Sequence, residues 1–387
     1  MLIQSSQSTQ TLAVTFLLAV GTISHIAAGA PYRQPQTEGY SSDVSSNLAA
    51  NYVNEQPTNG HLKRSLSEEE GLEEQGEIEA YNIKQPSTPP DSLASDQFSF
   101  YKYEQSLEAS TLDSTRSRRT IIVGDIHGSL AGFERFLNQI GFTQKNDAVI
   151  LVGDLVAKGP QSLQVIDKAR AINARCVRGN HDDKVIRWKG YLDSLNTTQR
   201  IALGTEYNDD PDSEYDVNQS PPSSFAKSAP IPSDLIMGSD HYYIANNMTL
   251  EQYQYLLSCP LILSIPSELS VRKIPIHIIH AGIDPESDIE SQLPWVLVNI
   301  RNILKDGVPS RKTGKGHGWA REFNDLQSER TANGQPGFML VYGHDAGRSL
   351  NVKPWSIGLD SGCVYGGALS GYIVETGQII SIPCSES

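Results

Sequence analysis

The chain has 387 residues, with 31 Lys and Arg against 45 Asp and Glu and a formal net charge of −14. That balance excludes general affinity for nucleic acid, which needs a basic footprint. Part of the negative charge lies in one run, Glu68, Glu69, Glu70, Glu73, Glu74, Glu77 and Glu79, and such a run stays solvated.

From the front, Thr11 to Ala30 is apolar and uncharged and ends in the small residues Ala28-Gly29-Ala30. Residues 1–30 read as a signal peptide or as a signal anchor holding the chain to a membrane. Lys and Arg are missing ahead of the segment and His25 lies within it, so a cytoplasmic chain is the alternative. Residues 31–117 are rich in Ser, Gln, Asn, Pro and Glu. They hold too little apolar surface to offset ordering entropy and are expected to be disordered. Lys63-Arg64 and Arg118-Arg119 read as solvated basic residues or, in a secreted chain, as cleavage sites. Residues 118–387, roughly 270 in all, are ample for one large α/β domain.

Thr120 to Val123 is a short β-branched run, predicted as a buried parallel strand. Asp125 and His127 follow in a glycine-rich loop, and a helix is predicted from Ser129 to Ile140 with Gly141 as its C-terminal stop. Ala148 to Val152 is the next strand, with Asp154 just past its end. Pro160 is predicted to open a helix at its first position, running to about Ala171. Ala174 to Val177 is a third strand, ending at Arg178-Gly179-Asn180-His181. Strand, helix and parallel strand thus repeat about every thirty residues, as right-handed βαβ units do. Two later strands, Pro275 to Ile279 and Phe338 to Tyr342, deliver His280 and His344 in the same way. Ligands collect at the carboxyl ends of such strands, so Asp125, His127, Asp154, Asn180, His181, His280 and His344 are expected to converge.

These residue types suit two divalent metals. A carboxylate such as Asp154 bridges both ions, and imidazole and amide oxygen suit zinc, manganese or iron. Two ions about 3.5–4 Å apart activate a bridging water and stabilise the attacking and leaving oxygens of an in-line displacement.

The five blocks Gly124-Asp125-Ile126-His127-Gly128, Gly153-Asp154 through Gly159, Arg178 through Asp182, His280-Ala281-Gly282 and Gly343-His344-Asp345 resemble those of calcineurin-like metallophosphoesterases of the phosphoprotein-phosphatase superfamily. Leu359 to Gly367 resembles a late signature of the same group. The resemblance implies a four-layer αββα sandwich of two mixed sheets. It implies one metal held by Asp125, His127 and Asp154 and a second held by Asp154, Asn180, His280 and His344. His181 is then the general acid, with Arg178, Lys158 and Arg301 on the phosphate. Arg178 also reads as a structural ion-pair partner, Lys158 as a solvated loop lysine, Arg301 as an exposed helix arginine, and Tyr365 as wall packing rather than a catalytic phenol.

One departure narrows the resemblance. The Ser/Thr phosphatase branch carries an Asp that supports the catalytic histidine, where this chain has Ala157. Ala157-Lys158-Gly159-Pro160 is similar to the diadenosine-tetraphosphatase and fungal vacuolar endopolyphosphatase branch. An anhydride loses phosphate readily and needs a weaker acid than a serine ester does. The expected activity is therefore hydrolysis of phosphoanhydrides, inorganic polyphosphate or dinucleoside polyphosphates. A luminal Ser/Thr-type protein phosphatase and an inactive glycosylated binding module are the alternatives, and Asp182 or a backbone carbonyl is the expected support for His181.

Residues 190–248 are expected to interrupt the core as an insertion, with no regular structure from Thr205 to Asp240. Three N-glycosylation sequons, at Asn196, Asn218 and Asn247, fall in or beside it. They favour the secretory pathway, in a vacuolar lumen or outside the cell. Gly307 to Arg330 is expected to be an irregular basic stretch, either a polyanion-binding rim carrying Arg311, Lys312, Lys315, His317 and Arg321 or a mobile surface loop. Cys176 and Cys363 are expected as buried thiols, and a Cys259–Cys384 disulfide is allowed in an oxidising lumen.

Overall fold

The computed structural model describes residues 98, 100–107, 119–206 and 231–385. Residues 1–30, with the signal or anchor segment, and Asn218 lie outside the described residues.

Two mixed sheets form the centre of the fold. The first has the order β14-β13-β2-β3-β4, from Ile379–Pro383, Ala368–Ile373, Arg119–Val123, Asp147–Leu151 and Arg175–Cys176. β2, β3 and β4 are parallel, and β13 runs antiparallel to β2. The second has the order β1-β5-β6-β10-β12-β11, from Glu104–Ser106, Ile262–Ile265, Ile276–Ile278, Met339–Tyr342, Ser356–Gly358 and Asn351–Val352. In it β6, β10 and β12 run parallel.

Period-two alternation along the strands makes the layers. Ile121, Val123, Val149 and Leu151 face outward, onto helices α1 (Leu130–Gln139), α2 (Ser162–Ala171) and α3 (Asn180–Ser194). Ile122, Ala148 and Ile150 face inward, against Leu263, Ile276, Ile278, Met339 and Val341 of the second sheet. Leu340 and Tyr342 point away again, onto α7 (Pro294–Asn299) and α8 (Trp319–Ala332). The strands read as near-continuous apolar runs because both their faces are buried. The result is helix, sheet, sheet, helix, as expected. Three further helices, α4 (Thr197–Glu206), α5 (Asp240–Asn247) and α6 (Leu250–Ser258), follow α3 in the chain, and α5 and α6 pack on the same outer face. No helix among the described residues is long and apolar enough to cross a membrane.

Several expectations are corrected. Part of the stretch expected to be disordered is ordered: β1 extends the second sheet by pairing parallel with Ile262 to Ser264. Aromatic anchors explain it, since Phe98 packs edge-on against Tyr191 and the Tyr103 hydroxyl donates to the Gln292 carbonyl. Pro160 does not open the second helix. It lies in a turn ahead of the N-cap Gln161, and the helix begins at Ser162. The stretch from Gly307 to Arg330 is only partly irregular, with turns at 307–308 and from Arg311 to Gly316. β7 (Asn302–Ile303), β8 (Pro309–Ser310) and β9 (His317–Gly318) form a small antiparallel sheet, and α8 follows at once. The buried Asn302 amide holds that loop by donating to the carbonyls of Lys312, Thr313 and Lys315.

The cysteines pair as Cys176–Cys259 and Cys363–Cys384, with Cα–Cα distances of 5.0 and 5.3 Å. This replaces both the expected buried thiols and the 259–384 pairing. Burial and oxidation are compatible here: Cys176 and Cys363 are buried beside their partners, at the end of β4 and in the turn after β12.

Candidate metal centre

Each candidate ligand stands just beyond the carboxyl end of a parallel strand. Asp125 and His127 follow β2, Asp154 follows β3, and Asn180 and His181 begin the helix after β4. From the second sheet, His280 follows β6 and His344 follows β10. The two sheets bring these ends together because the second sheet's parallel strands point the same way across the shared core.

The loops are strained and tightly pinned. His127, Asp154 and His344 all have positive φ, at 47°, 49° and 70°, a region costing about 1–3 kcal/mol for a non-glycine residue and concentrated at functional sites. Hydrogen bonds between loops hold them there: the His127 amide donates to the Asp154 carbonyl at 2.8 Å, and the Gly159 amide to the His127 carbonyl at 2.9 Å. Two glycines are required by close approach rather than by turn geometry. A Cβ on Gly179 would lie 2.1 Å from Asp154 Oδ1, and one on Gly343 would lie 1.9 Å from Asp125 Oδ1.

The side chains form two overlapping groups that share Asp154. One ligand atom each from His127, Asp154 and His181 lies within 4.8 Å of the others, and the same holds for Asp154, His280 and His344. Asp154 Oδ2 is 3.4 Å from His127 Nε2 and 3.3 Å from His280 Nε2. Asn180 Oδ1 is 3.1 Å from both His280 Nε2 and His344 Nδ1.

Carbonyl partners fix the histidine tautomers, because a carbonyl only accepts. His127 Nδ1 donates to the Val156 carbonyl at 3.1 Å, and His280 Nδ1 to the Val152 carbonyl at 2.9 Å. Each leaves a bare Nε2 facing the site. His344 is reversed: Nε2 donates to the Asn299 carbonyl at 3.1 Å, leaving Nδ1 for the site.

These residues fit divalent cations. Asp125 Oδ1 is buried without a hydrogen-bond partner among the described residues, although a buried carboxylate oxygen is costly to leave bare. Its other oxygen accepts from the His344 amide at 3.0 Å. Burial and the nearby Asp360 and Asp154 push the Asp125 carboxyl well up, and burial moves Asp360 up to about 6. For Asp154 burial acts upward too, but His280, His181 and His127 outweigh it and hold the group well below the usual range. Burial lowers His127 to about 3 and His344 well below its ordinary value. At His280 burial acts downward, but Asp154 and the Val152 carbonyl outweigh it and raise the group. Imidazoles among crowded carboxylates are the donor set a cation completes.

Around this cluster lie the other predicted residues. Lys158 Nζ is 3.5 Å from His127 Nε2 and sits over the Tyr365 ring, 5.3 Å from its centroid. Burial acts to neutralise that ammonium, but Tyr365, Asp154 and Asp360 keep it charged. Arg301 is half-buried beside His344 and donates to its carbonyl at 3.3 Å.

Arg178 has the geometry of its alternative reading, a structural ion-pair partner. Its guanidinium is wholly buried, paired with Asp183 at 3.3 Å, bonded to the Phe100 carbonyl and stacked over Tyr101. So placed it anchors the ordered N-terminal segment, and it offers no exposed surface to a substrate. Asp182 does not support His181 either, since its oxygens accept from the Leu155 and Gly179 amides. The atom against His181 Nδ1 is instead Nε2 of His241, at 2.8 Å.

Two residues of the site were missed in the sequence. Asp360 follows β12 as the other acids follow their strands, and that strand-then-acid pattern would have found it. His241 has no such local signal, because it comes from a helix in the segment read as an insertion.

Residues 118–227 match the calcineurin-like phosphoesterase family. Among relatives, the symmetrical bis(5'-nucleosyl)-tetraphosphatase of Pectobacterium carotovorum is 46% identical over 65 residues, which is 16% of this chain and only 23% of that protein. The Vibrio parahaemolyticus protein of the same name is 24% identical over 297 residues, covering 65% of this chain and 93% of that one. A zinc-dependent endopolyphosphatase of Saccharomyces cerevisiae is 24% identical over 290 residues, covering 70% and 82%. A crystal structure provisionally assigned as a diadenosine tetraphosphatase aligns with a TM-score of 0.51 and 29% identity, over 74% of this chain and 100% of that one. This chain's match to the Pectobacterium relative thus spans about a quarter of that protein's length.

Proposed function

We propose that this chain is a metal-dependent hydrolase of phosphoanhydrides, acting on inorganic polyphosphate or dinucleoside polyphosphates. Asp125, His127 and Asp154 hold one divalent ion, and Asp154, Asn180, His280 and His344 hold a second. Zinc suits this imidazole and carboxylate set, and the yeast relative is named zinc-dependent; manganese and iron are the other candidates. When bound, the ions activate water and neutralise phosphate charge.

The chain's own residues do the rest. His181 faces the ligand cluster and protonates the leaving oxygen. The charged Lys158, within 3.5 Å of His127, and Arg301 bind phosphate oxygens. The observation that carries the anhydride reading is the group behind His181, a neutral imidazole rather than a carboxylate. Burial lowers both His181 and His241, the latter to about 3. Such a pair is a poor source of protons for an alkoxide and is sufficient for a phosphate leaving group.

A cavity of about 350 Å³ is lined by Arg301, Arg321, Arg348 and Lys353, with Trp319 and Asp345. Its charge suits the remaining phosphates of a long substrate. Replacing Arg321 and Lys353 together by Ala should raise KM for long polyphosphate at least about fivefold while leaving 4-nitrophenyl phosphate within about twofold, with the gap closing at high salt. Equal effects on both substrates would remove the cavity from the account.

The same reading places the chain in the secretory pathway, as a glycoprotein of a vacuolar lumen or the exterior. Two disulfides support it, since such bonds persist in oxidising compartments. The sequon residues Asn196 and Asn247 are exposed. Membrane attachment through residues 11–30 remains part of this proposal.

A further inference from the structure

α5, from Asp240 to Asn247, is held on the outer helical layer by specific contacts. Ser239 caps it by accepting from the Tyr242 amide. Tyr242 meets Trp188 of α3 edge-on at 5.3 Å between ring centroids, and just ahead of α5 Asp234 pairs with Arg187 of α3. Through this packing the first turn of α5 reaches the metal centre at two points. Asp240 Oδ2 accepts from the Lys158 amide at 3.2 Å. His241, buried, sets its Nε2 2.8 Å from Nδ1 of His181, the two rings nearly coplanar (19°) and edge to edge with centroids 5.0 Å apart.

We propose that His241 is the positioning residue for His181: His241 Nε2 accepts the Nδ1 proton of His181, leaving His181 Nε2 as the nitrogen that delivers a proton to the leaving oxygen. This rests on His181 being the acid of the function proposed above. Ala157 carries no side chain able to do the same, so a residue 84 positions later in the sequence does it. In the step, a hydroxide whose proton has gone to solvent bonds to phosphorus, the bond from phosphorus to the leaving oxygen breaks, and His181, entering as the imidazolium, passes its Nε2 proton to that oxygen. The Nδ1 proton stays in the bond to His241, and His181 is left neutral. The groups that act on His241 are His181, Lys184, Asp154, Lys158 and His127. Neither Asp240 of α5 nor Asp154 bonds its Nε2, so the support for His181 is an uncharged acceptor. A carboxylate there would favour the imidazolium and make a stronger proton donor reserve; the imidazole gives orientation with little charge stabilisation.

The test uses the full chain with His241 replaced by Ala, Gln and Glu, since Gln and Glu reach about as far as the imidazole. Nitrogen-15 NMR of the metal-free wild type should show His181 protonated at Nδ1, with that pattern lost in His241→Ala. With zinc restored, His241→Ala should slow an alkyl phosphate at least about tenfold more than 4-nitrophenyl phosphate, because only the poor leaving group depends on a directed proton. His241→Gln should recover most of that loss. His241→Glu should improve the alkyl phosphate relative to the aryl one. Zinc content should match wild type in all three. A bare Nδ1 on His181 would overturn the proposal, as would losses equal across leaving groups or loss of zinc in His241→Gln. If the tautomer and leaving-group pattern hold while no anhydride is turned over, the substrate reading fails and the positioning role stands.

Discussion

Asp154 does more than any other side chain at the site. Oδ1 accepts from the His181 amide at 3.0 Å, which ties it to the start of α3, and Oδ2 faces both His127 and His280. It is the member common to both ligand groups, and it is the carboxylate that its neighbours keep ionised. Asp154→Asn removes the bridging charge and puts an amide N–H among imidazole donors. Turnover should fall at least about a thousandfold, a loss near 4 kcal/mol of transition-state stabilisation. Bound metal, counted by elemental analysis, should drop by at least one ion, with far-ultraviolet circular dichroism unchanged. A variant that keeps both ions and its activity would show that Asp154 does not bridge.

At the scale of elements, what was legible in the sequence was whatever repeats locally. The strands 119–123, 147–151 and 339–342 lie within a residue or so of where apolar runs placed them, because each is buried on both faces. Each block follows its strand directly, so the six candidate ligands and His181 were visible as strand ends. What depends on distant packing was not. β1 is ordered only by aromatic contacts with residues far along the chain, and α5 owes its place to Trp188 and Arg187 on α3. The basic stretch looked structureless because its small sheet is held by one buried Asn302 rather than by a pattern. The disulfides belong to the same class, since pairing depends on where strand ends meet. Cys176–Cys259 closes a span of 83 residues that includes α3 and α5. In the chain-entropy account such a loop is worth about 4–5 kcal/mol, and engineered losses fall near 2–5. Replacing both cysteines by Ser should therefore lower Tm by several degrees in a calorimetric scan and make α5, with His241, the first region to exchange amide protons. Unchanged Tm and uniform protection would show that the outer helical layer stands without that bond.

For the whole molecule, the sandwich is a device for bringing two sets of strand ends to one place. The first sheet supplies Asp125, His127, Asp154 and the start of α3, and the second supplies His280, His344 and Asp360. The candidate set of Asp154, Asn180, His280 and His344 draws on both sheets, so that half of the centre forms only as the inter-sheet core assembles. Around that centre the basic cavity and the imidazole behind His181 both favour a long, anionic substrate with a good leaving group. The most direct test compares kcat/KM of the purified, zinc-loaded protein for polyphosphate or diadenosine tetraphosphate with that for a phosphoserine peptide. The account predicts a preference for the anhydrides of at least about tenfold, roughly 1.4 kcal/mol in the transition state. A preference for the phosphopeptide would contradict it and make the protein a phosphoprotein phosphatase.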